Sequence, residues 1–234
     1  NSAPYDTYNL NTPIAGLPSP NYKVCWAHAP GIVGGKELYR VPLGLLTVNG
    51  PNQVSQECTL GLDCVITLSG TGLVATNQVF IIDDGSSCGD ASPTLAAFSG
   101  VTNPQQTEVA SPGTFSMGIP RTTSAGPGVN YKVCWAHNPS SSADFKVLLG
   151  TFKMNGPERE GEDITCTMGL SCSFLLTGVN LVSTNRIMVT KLTDTCGQAV
   201  LNVVSFTGVT NPLLATGPGA NGFDLGVPTF GMPG

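Results

Sequence analysis

The chain contains one sequence unit more than once, and this internal repeat limits its possible folds more than any other feature. Residues 21–28 (NYKVCWAH) recur letter for letter at 130–137, an offset of 109 positions. The tripeptide NGP at 49–51 recurs at 155–157, and three cysteines recur at an offset of 108. Because these matches keep the same order, they indicate a repeating structural unit of about 108 residues, the size of one small domain.

The boundaries of the repeat do not coincide with the two ends of the sequence. Counted from the NYKVCWAH motif, one copy covers 21–129 and the other 130–234, with four cysteines each. If a domain ends at NGP, the chain divides into the C-terminal part of one repeat (1–51), a complete repeat (52–157) and the N-terminal part of another (158–234). The last part lacks the final strands that the first part contains. We therefore predict two unfinished ends with complementary sequences.

Composition narrows the fold class. Hydrophobic residues make up 41% and charged residues 11% of the chain, the opposite of a disordered protein. The 29 glycines and 18 prolines would interrupt long helices and coiled coils. A net charge of -5 argues against nucleic acid as a partner, and no apolar run is long enough to cross a membrane as a helix. A turn-rich, all-β fold remains.

Alternation of apolar residues predicts which strand faces are buried. Every second residue is apolar in two segments: Cys64, Ile66 and Leu68, and Tyr131, Val133 and Trp135. Each set is expected to face a core, with the residues between them facing outward. The alternation shifts by one position at Gly150 and Gly44, which predicts a β-bulge at each glycine. Turns are predicted at the NGP tripeptides, at 84–86 and at 126–128. The predicted architecture is a tandem of antiparallel β-sandwiches.

The eight cysteines predict disulfide bonds. Zinc sites favour paired ligands two to four residues apart, and only the CxxH sequence within the repeated motif approaches that spacing. Many cysteines are typical of proteins in an oxidising, extracellular compartment. All eight are therefore disulfide candidates: Cys25, Cys58, Cys64, Cys88, Cys134, Cys166, Cys172 and Cys196.

Spacing alone leaves the pairing within a repeat open, since four cysteines allow three schemes. A bridge from Cys64 to Cys134 would link the two sheets of a sandwich, as in immunoglobulin domains. However, Cys134 shares its strand face with a lysine and not with the predicted core residues. We therefore favour the pairs Cys58–Cys64 and Cys88–Cys134.

Under either scheme the cysteines are unevenly distributed among the three parts of the chain. The first part holds one, the complete repeat four and the last part three. Cys25 is therefore expected to pair with a cysteine of the C-terminal part. Under the favoured scheme that partner is Cys196.

The repeated motif also carries every histidine and tryptophan of the chain. An enzyme site seldom occurs twice in tandem with identical neighbours, so His28 and His137 are expected to make structural hydrogen bonds. Trp26 and Trp135 are candidates for sugar-stacking platforms, but their alternation with apolar residues favours a place in the core. No oriented nucleophile or carboxylate partner of these histidines is repeated. The sequence also has no phosphate-binding loop, no Gly-x-Ser-x-Gly and no His-Glu-x-x-His motif. We expect no enzymatic activity, no cofactor and no metal site.

Several motifs together resemble a known type of domain. A Cys-x5-Cys pair is followed by GTGL at 70–73, by Asn77, by Cys88-Gly89, by YKVCW and by a closing Gly-Pro. This combination resembles the immunoglobulin-like (IPT/TIG-type) repeats of plexins and some transcription factors, and the tandem repeats of algal and protist extracellular surface proteins, including flagellar-hair (mastigoneme) proteins. The resemblance covers nearly the whole chain. It implies an adhesive or scaffolding role and supplies no catalytic residues.

Two functions from different classes follow from these observations. The first is a structural module of an extracellular filament or cell-surface assembly, built by head-to-tail or strand-complementing contacts. The missing strands would come from a copy of the protein, from a neighbouring repeat of a longer chain, or from the other end of the same chain. The alternative is a carbohydrate-binding or adhesive module, with glycans as partners. Both place the protein outside the cell or at its surface.

Overall fold

The computed structural model describes residues 6–31, 35–121, 130–158 and 163–231. This part of the chain consists of strands and turns, and its helical content is limited to two short 3-10 turns. The all-β class predicted from the sequence is therefore confirmed. Within the same ranges, no helix has the length and hydropathy needed to span a bilayer. The predicted turn at 126–128 lies outside the described residues.

Eighteen strands occur in the described residues. Three precede the complete repeat: β1 (Ser19–Trp26), β2 (Val41–Val48) and β3 (Gly50–Pro51). Nine belong to the complete repeat: β4 (Gln56–Thr59), β5 (Cys64–Thr67), β6 (Gly70–Thr71), β7 (Asn77–Asp83), β8 (Ser99–Val101), β9 (Gln105–Gln106), β10 (Thr114–Arg121), β11 (Tyr131–His137) and β12 (Val147–Pro157). Six follow it: β13 (Cys172–Leu175), β14 (Gly178–Val179), β15 (Arg186–Ile187), β16 (Thr207–Val209), β17 (Leu213–Leu214) and β18 (Gly222–Phe230).

Two sheets of the middle repeat enclose one core. The first sheet has the strand order β5-β10-β8. The second has the order β14-β12-β11-β7-β9, and β4 runs parallel to β12 at its side. Buried residues of both sheets pack in a single cluster that includes Ile66, Phe115, Val79, Val133 and Phe152. Because the two sheets share this cluster, the hairpin β11–β12 is a wall of the core.

Strand β11 is buried on both faces over part of its length, so the predicted outward face is only partly correct. Tyr131, Val133 and Trp135 face the main core as expected. On the other face, Cys134 packs in a second cluster, together with Phe80 and three other buried side chains. Phe145, which directly follows the 3-10 turn Ser142–Asp144, and Cys88 cover this face. Cys88 is held there by its disulfide with Cys134 of β11.

Both predicted β-bulges are present. In the β11–β12 pair, Val133 lies opposite Gly150, whereas the next residue of β11 lies opposite Leu148. The same shift occurs at Gly44 in the β1–β2 pair. Both glycines have a positive φ, of 156° and 148°, which other residues rarely adopt. The two hairpins therefore share one backbone plan.

The NGP tripeptides form strands, so the prediction of turns at these sites is wrong. Gly50–Pro51 is β3, which pairs with β6, and the end of β12 pairs with β14 in the same way. A Cβ atom on Gly70 would lie 2.2 Å from the Gly50 carbonyl oxygen, and one on Gly178 would lie 2.4 Å from that of Gly156. Glycine is therefore needed at both contacts, and each part of the chain joins the next through the same short strand pair.

The C-terminal part reproduces only one of the two sheets. Its order β13-β18-β16 matches β5-β10-β8 at an offset of 108 residues. The other sheet is reduced to β15 and β17, with two residues each. The segment 164–167, the counterpart of β4, is not a strand. In the middle repeat, β4 and β7 pair with β12 and β11, and no counterpart of that hairpin follows β18 in the described residues.

Candidate functional site

The C-terminal part contains an open apolar cavity of about 710 Å³. Eight of its lining residues correspond, at an offset of 108, to buried core residues of the middle repeat. We call this set the acceptor groove: Cys166, Cys172, Phe174, Leu176, Ile187, Val189, Phe206 and Leu225. The groove is therefore the half-built equivalent of a domain core, open on the side where the middle repeat carries β11 and β12.

Exposure of matched residues shows what the missing hairpin changes. Ile81 is 0% exposed, whereas its counterpart Val189 is 36% exposed. Cys58 is buried, whereas its counterpart Cys166 is exposed. The difference has a local cause, since Ile81 lies opposite Val133 of β11 and Cys58 lies beside Met154 of β12. The described residues of the C-terminal part include no strand at either place.

The hairpin formed by β1 and β2, residues 19–26 and 41–48, presents the opposite situation; we call it the donor hairpin. Its apolar residues match the core residues of β11 and β12 but are not buried. Exposure is 38% at Tyr22, 36% at Trp26 and 61% at Leu43, against 2%, 7% and 2% at Tyr131, Trp135 and Leu149. Val24, Leu46 and Val48 are half-buried. Apolar side chains in water lose the stabilisation that burial provides.

The two tryptophans of the repeated motif have different environments. Trp135 lies in the main core, as the alternation predicted. Trp26 was expected in a core as well but is exposed, with its ring centroid 6.0 Å from that of His28. The motif is identical in both copies, so its residues carry no local signal for this difference. It arises because one hairpin has a sheet to pack against and the other does not.

The histidine of the middle repeat makes a structural hydrogen bond. The Asn77 side-chain amide lies 3.0 Å from Nδ1 of His137, and Asn77 also accepts a hydrogen bond from the backbone N–H of Val74 at 2.8 Å. Asn77 is fully buried at the start of β7, and these contacts satisfy its polar groups. Sequence reasoning noted Asn77 only as part of a motif and missed its pairing with the histidine. The corresponding residues of the unfinished ends are Asn185 and His28.

Six cysteines form disulfides in the pattern that the sequence favoured. The bonds are Cys58–Cys64, Cys88–Cys134 and Cys166–Cys172, with Cα–Cα distances of 5.3, 5.6 and 5.4 Å. The alternative bridge from Cys64 to Cys134 does not form, because Cys64 of β5 lies in the main core whereas Cys134 of β11 lies in the second cluster. Three disulfides indicate an oxidising compartment.

The remaining pair of cysteines is not bonded within the single chain. Cys25 and Cys196 were expected to form a disulfide, but both are free thiols and both are exposed. Cys25 lies in β1 of the donor hairpin, and Cys196 lies between β15 and β16 of the C-terminal part. The expectation is therefore wrong for an isolated copy.

The two hairpins differ at their tips. In the middle repeat, the exposed carboxylate of Asp144 accepts hydrogen bonds from the backbone N–H and hydroxyl groups of Ser140 and Ser141. The backbone N–H of Ser140 is the largest of the causes that lower the pKa of Asp144 to about 2. The donor hairpin has Leu38 at this position, so its tip lacks the carboxylate that orders the middle hairpin.

Comparisons of the chain with protein-family models, with curated protein sequences and with solved structures gave no match. Function must therefore be inferred from the chain's own repeats.

Proposed function

We propose that the protein is a non-enzymatic structural module of an extracellular assembly, in which the donor hairpin of one copy fills the acceptor groove of the next. The observation that carries this proposal is the match of both surfaces to one existing core. The groove corresponds to one side of the middle-repeat core, and the hairpin corresponds to the other side. The completed unit would then have two sheets around one core, as the middle repeat does.

The middle repeat supplies the register of docking. Val133 lies opposite Ile81, so Val24 of the donor is placed opposite Val189 of the acceptor. By the same transfer from the parallel β12–β4 pair, β2 lies beside the segment 164–167, which is not a strand in the single chain. Docking would thus satisfy the unpaired backbone groups of two acceptor segments and two donor strands.

Side-chain sizes in the two surfaces change in a compensating way. The hairpin is smaller at two core positions and the groove is larger at two: Leu46 and Val48 replace Phe152 and Met154, while Phe174 and Ile187 replace Ile66 and Val79. One change runs the other way, since Val189 replaces Ile81. Cores tolerate substitution best when total volume is kept. The pattern supports packing of this hairpin against this groove.

Burial supplies the driving force. Each fully buried Val, Leu, Ile or Phe side chain contributes roughly 1.5–3 kcal/mol relative to an exposed one. Four donor positions are of this kind (Val24, Leu43, Leu46 and Val48), and Tyr22 and Trp26 add aromatic area. Together with the groove that receives them, these six side chains offset the cost of bringing two molecules together. The donor and acceptor surfaces are different, so each contact leaves one of each free, and repeated contacts produce a filament unless the rotation closes a ring.

The junctions between repeats support a linear arrangement. The first part joins the middle repeat through β3 and β6, and the middle repeat joins the last part through β12 and β14. A docked donor hairpin would lead into the next copy through β3, with the same strand pair. A row of copies would therefore continue as one array of similar repeats. This arrangement fits the resemblance to tandem repeats of algal and protist surface proteins, and with it an extracellular location.

The test compares two neighbouring residues of β2 that lie on opposite faces. Leu46 corresponds to the buried Phe152, whereas Leu45 corresponds to the exposed Thr151. Sedimentation velocity over a concentration series should show reversible association of the unsubstituted protein and of L45D, and a monomer for L46D. Association that L46D leaves unchanged, or a strictly monomeric unsubstituted protein, would refute docking between copies.

A second candidate function is glycan binding, favoured by the exposed aromatic rings of the donor hairpin. Tyr22, Trp26 and Tyr39 are all exposed there, and exposed aromatic rings can stack on sugar rings. Screening against a glycan array at a concentration below that of self-association tests it. Binding that is lost in W26A and is not lost in W135F would support the glycan function.

A further inference from the structure

The disulfide of the middle repeat joins the hairpin to the rest of its domain. Cys134 lies in β11, and Cys88 lies in the segment after β7, so their bond clamps the hairpin from outside the main core. Cys25 and Cys196 occupy the matching positions in the donor hairpin and in the acceptor part. Cys25 and Cys196 are thus the counterparts of the two cysteines that are bonded to each other in the middle repeat.

Local geometry places the two free thiols together when the hairpin docks. The β1–β2 and β11–β12 pairs share the same register and the same bulge, so Cys25 points from β1 as Cys134 does from β11. The outer cluster of the middle repeat contains Phe80 and Phe145 in contact, with ring centroids 4.8 Å apart. Their counterparts are Met188 of the acceptor and Tyr39 of the donor, both exposed in the single chain, and a thioether packs well against an aromatic ring.

We infer that Cys25 of one copy and Cys196 of the next form an intermolecular disulfide that locks the docked hairpin in place; this inference rests on the proposed docking. The oxidant is a small-molecule or protein disulfide. The Cys25 thiolate attacks one sulfur of the oxidant and releases the first thiol, and the Cys196 thiolate then attacks the Cys25 sulfur and releases the second. Two protein thiols are oxidised, and one oxidant disulfide is reduced to two thiols.

The disulfide would link copies head to tail. Each internal copy of a filament uses Cys25 toward one neighbour and Cys196 toward the other, so only the two end copies keep one free thiol each. Association through hydrophobic contacts is reversible, whereas the disulfide makes it permanent under oxidising conditions. The free thiols per chain should therefore fall from two toward zero as filaments lengthen.

The experiment uses the 234-residue chain in a glutathione/glutathione-disulfide buffer. The unsubstituted protein should give a ladder on non-reducing electrophoresis, with peptides containing Cys25 and Cys196 linked in the mass spectrum. C25S alone and C196S alone should remain monomeric on that gel, and an equimolar mixture of the two should give a covalent dimer and nothing larger. L46D, which keeps both thiols, should lose at least nine-tenths of the ladder.

The double variant C25S/C196S separates this inference from the proposed docking. If it associates in sedimentation but the unsubstituted protein forms no Cys25–Cys196 bond, the disulfide inference fails and docking survives. If neither associates, both fail. Covalent dimers of C25S alone, or an intrachain Cys25–Cys196 bond in monomers, would also overturn the intermolecular disulfide.

Discussion

The middle repeat and the C-terminal part have the same landmarks at an offset of 108 residues, yet one has a closed core and the other an open groove. Their three-stranded sheets match strand for strand. Their second sheets differ, because β7 pairs with β11 along seven residues whereas β15 pairs with β17 along two. The three-stranded sheet therefore forms without the hairpin, whereas the second sheet requires it.

The hairpins β1–β2 and β11–β12 have the same backbone structure but different burial. Both contain the same eight-residue motif, the same bulge and a 3-10 turn in the connecting segment. Only the middle hairpin is covered on both faces. Hairpin formation is therefore specified locally, whereas burial depends on a sheet supplied from elsewhere in the chain or from another molecule.

The largest effect is expected when the missing hairpin is supplied within the chain. A second copy of residues 18–51, added after residue 234 in the phase of the repeat, should fill the acceptor groove of its own molecule, because a tethered segment has a high effective concentration. The extended protein should be monomeric, and amide hydrogens of 185–191 should exchange at least a hundredfold more slowly. The same extension carrying Leu46→Asp in the added copy is the control. Unchanged exchange at 185–191 in both proteins would show that the acceptor groove does not take up the hairpin.

A charge introduced at matched positions of the two hairpins should change stability by different amounts, because only one of the positions is buried. Val133 is fully buried, so V133D should destabilise the middle repeat by about 4 kcal/mol or more. The matched change V24D should alter the stability of the monomer by less than about 0.5 kcal/mol. Urea unfolding of dilute protein measures both. Equal losses for the two variants would show that the donor hairpin is already packed in the single chain.

Removing the buried asparagine should give a smaller difference of the same kind. N77A leaves the Val74 amide and His137 without their partner and should cost about 1–3 kcal/mol. The counterpart variant N185A should leave the dilute monomer unaffected and weaken association, since its histidine partner would come from the donor. Thermal unfolding and sedimentation together measure both effects. An N185A monomer as destabilised as N77A would argue that Asn185 already has its structural role.

The smallest effect concerns pH and the tip of the middle hairpin. The folded-state pKa of Asp144, about 2, lies below the ordinary value of an aspartate, near 4. Its stabilisation is therefore fully present above about pH 4 and is lost as the pH falls toward 2. D144N should be less stable than the unsubstituted protein at pH 6, and most of this difference should be gone at pH 2, where about half of Asp144 is still ionised in the folded state. A stability difference that does not change with pH would rule out the carboxylate as its source.

Much of the fold is predictable from sequence because its signals are local. The alternation at Cys64, Ile66 and Leu68 identifies a buried face, and the position of Cys134 off the core face selects the correct disulfide scheme. The side of β11 that holds Cys134 is buried by Phe80 and Phe145, which are distant in sequence, and alternation cannot report them.

Predictions failed where a local pattern depends on a distant partner. Asn-Gly-Pro has the composition of a turn, but β3 is a strand because Gly70, about twenty residues later, allows the two backbones to approach closely. Trp26 and Trp135 have identical neighbours in sequence, and only the sheet that lies against them distinguishes their environments. The phase of the repeat predicted unfinished ends, and the open apolar cavity lies in the last of the three parts.

Hydrogen exchange measured against protein concentration tests docking between copies most directly. At concentrations where the protein associates, amide hydrogens at 22–28, 164–167 and 185–191 should become protected together, while those of the middle-repeat strands keep their protection unchanged. The L45D variant should behave in the same way, and L46D should show no concentration dependence. Protection of these three segments that is the same at every concentration, in a protein of constant monomeric mass, would contradict docking of the hairpin of one copy in the groove of another.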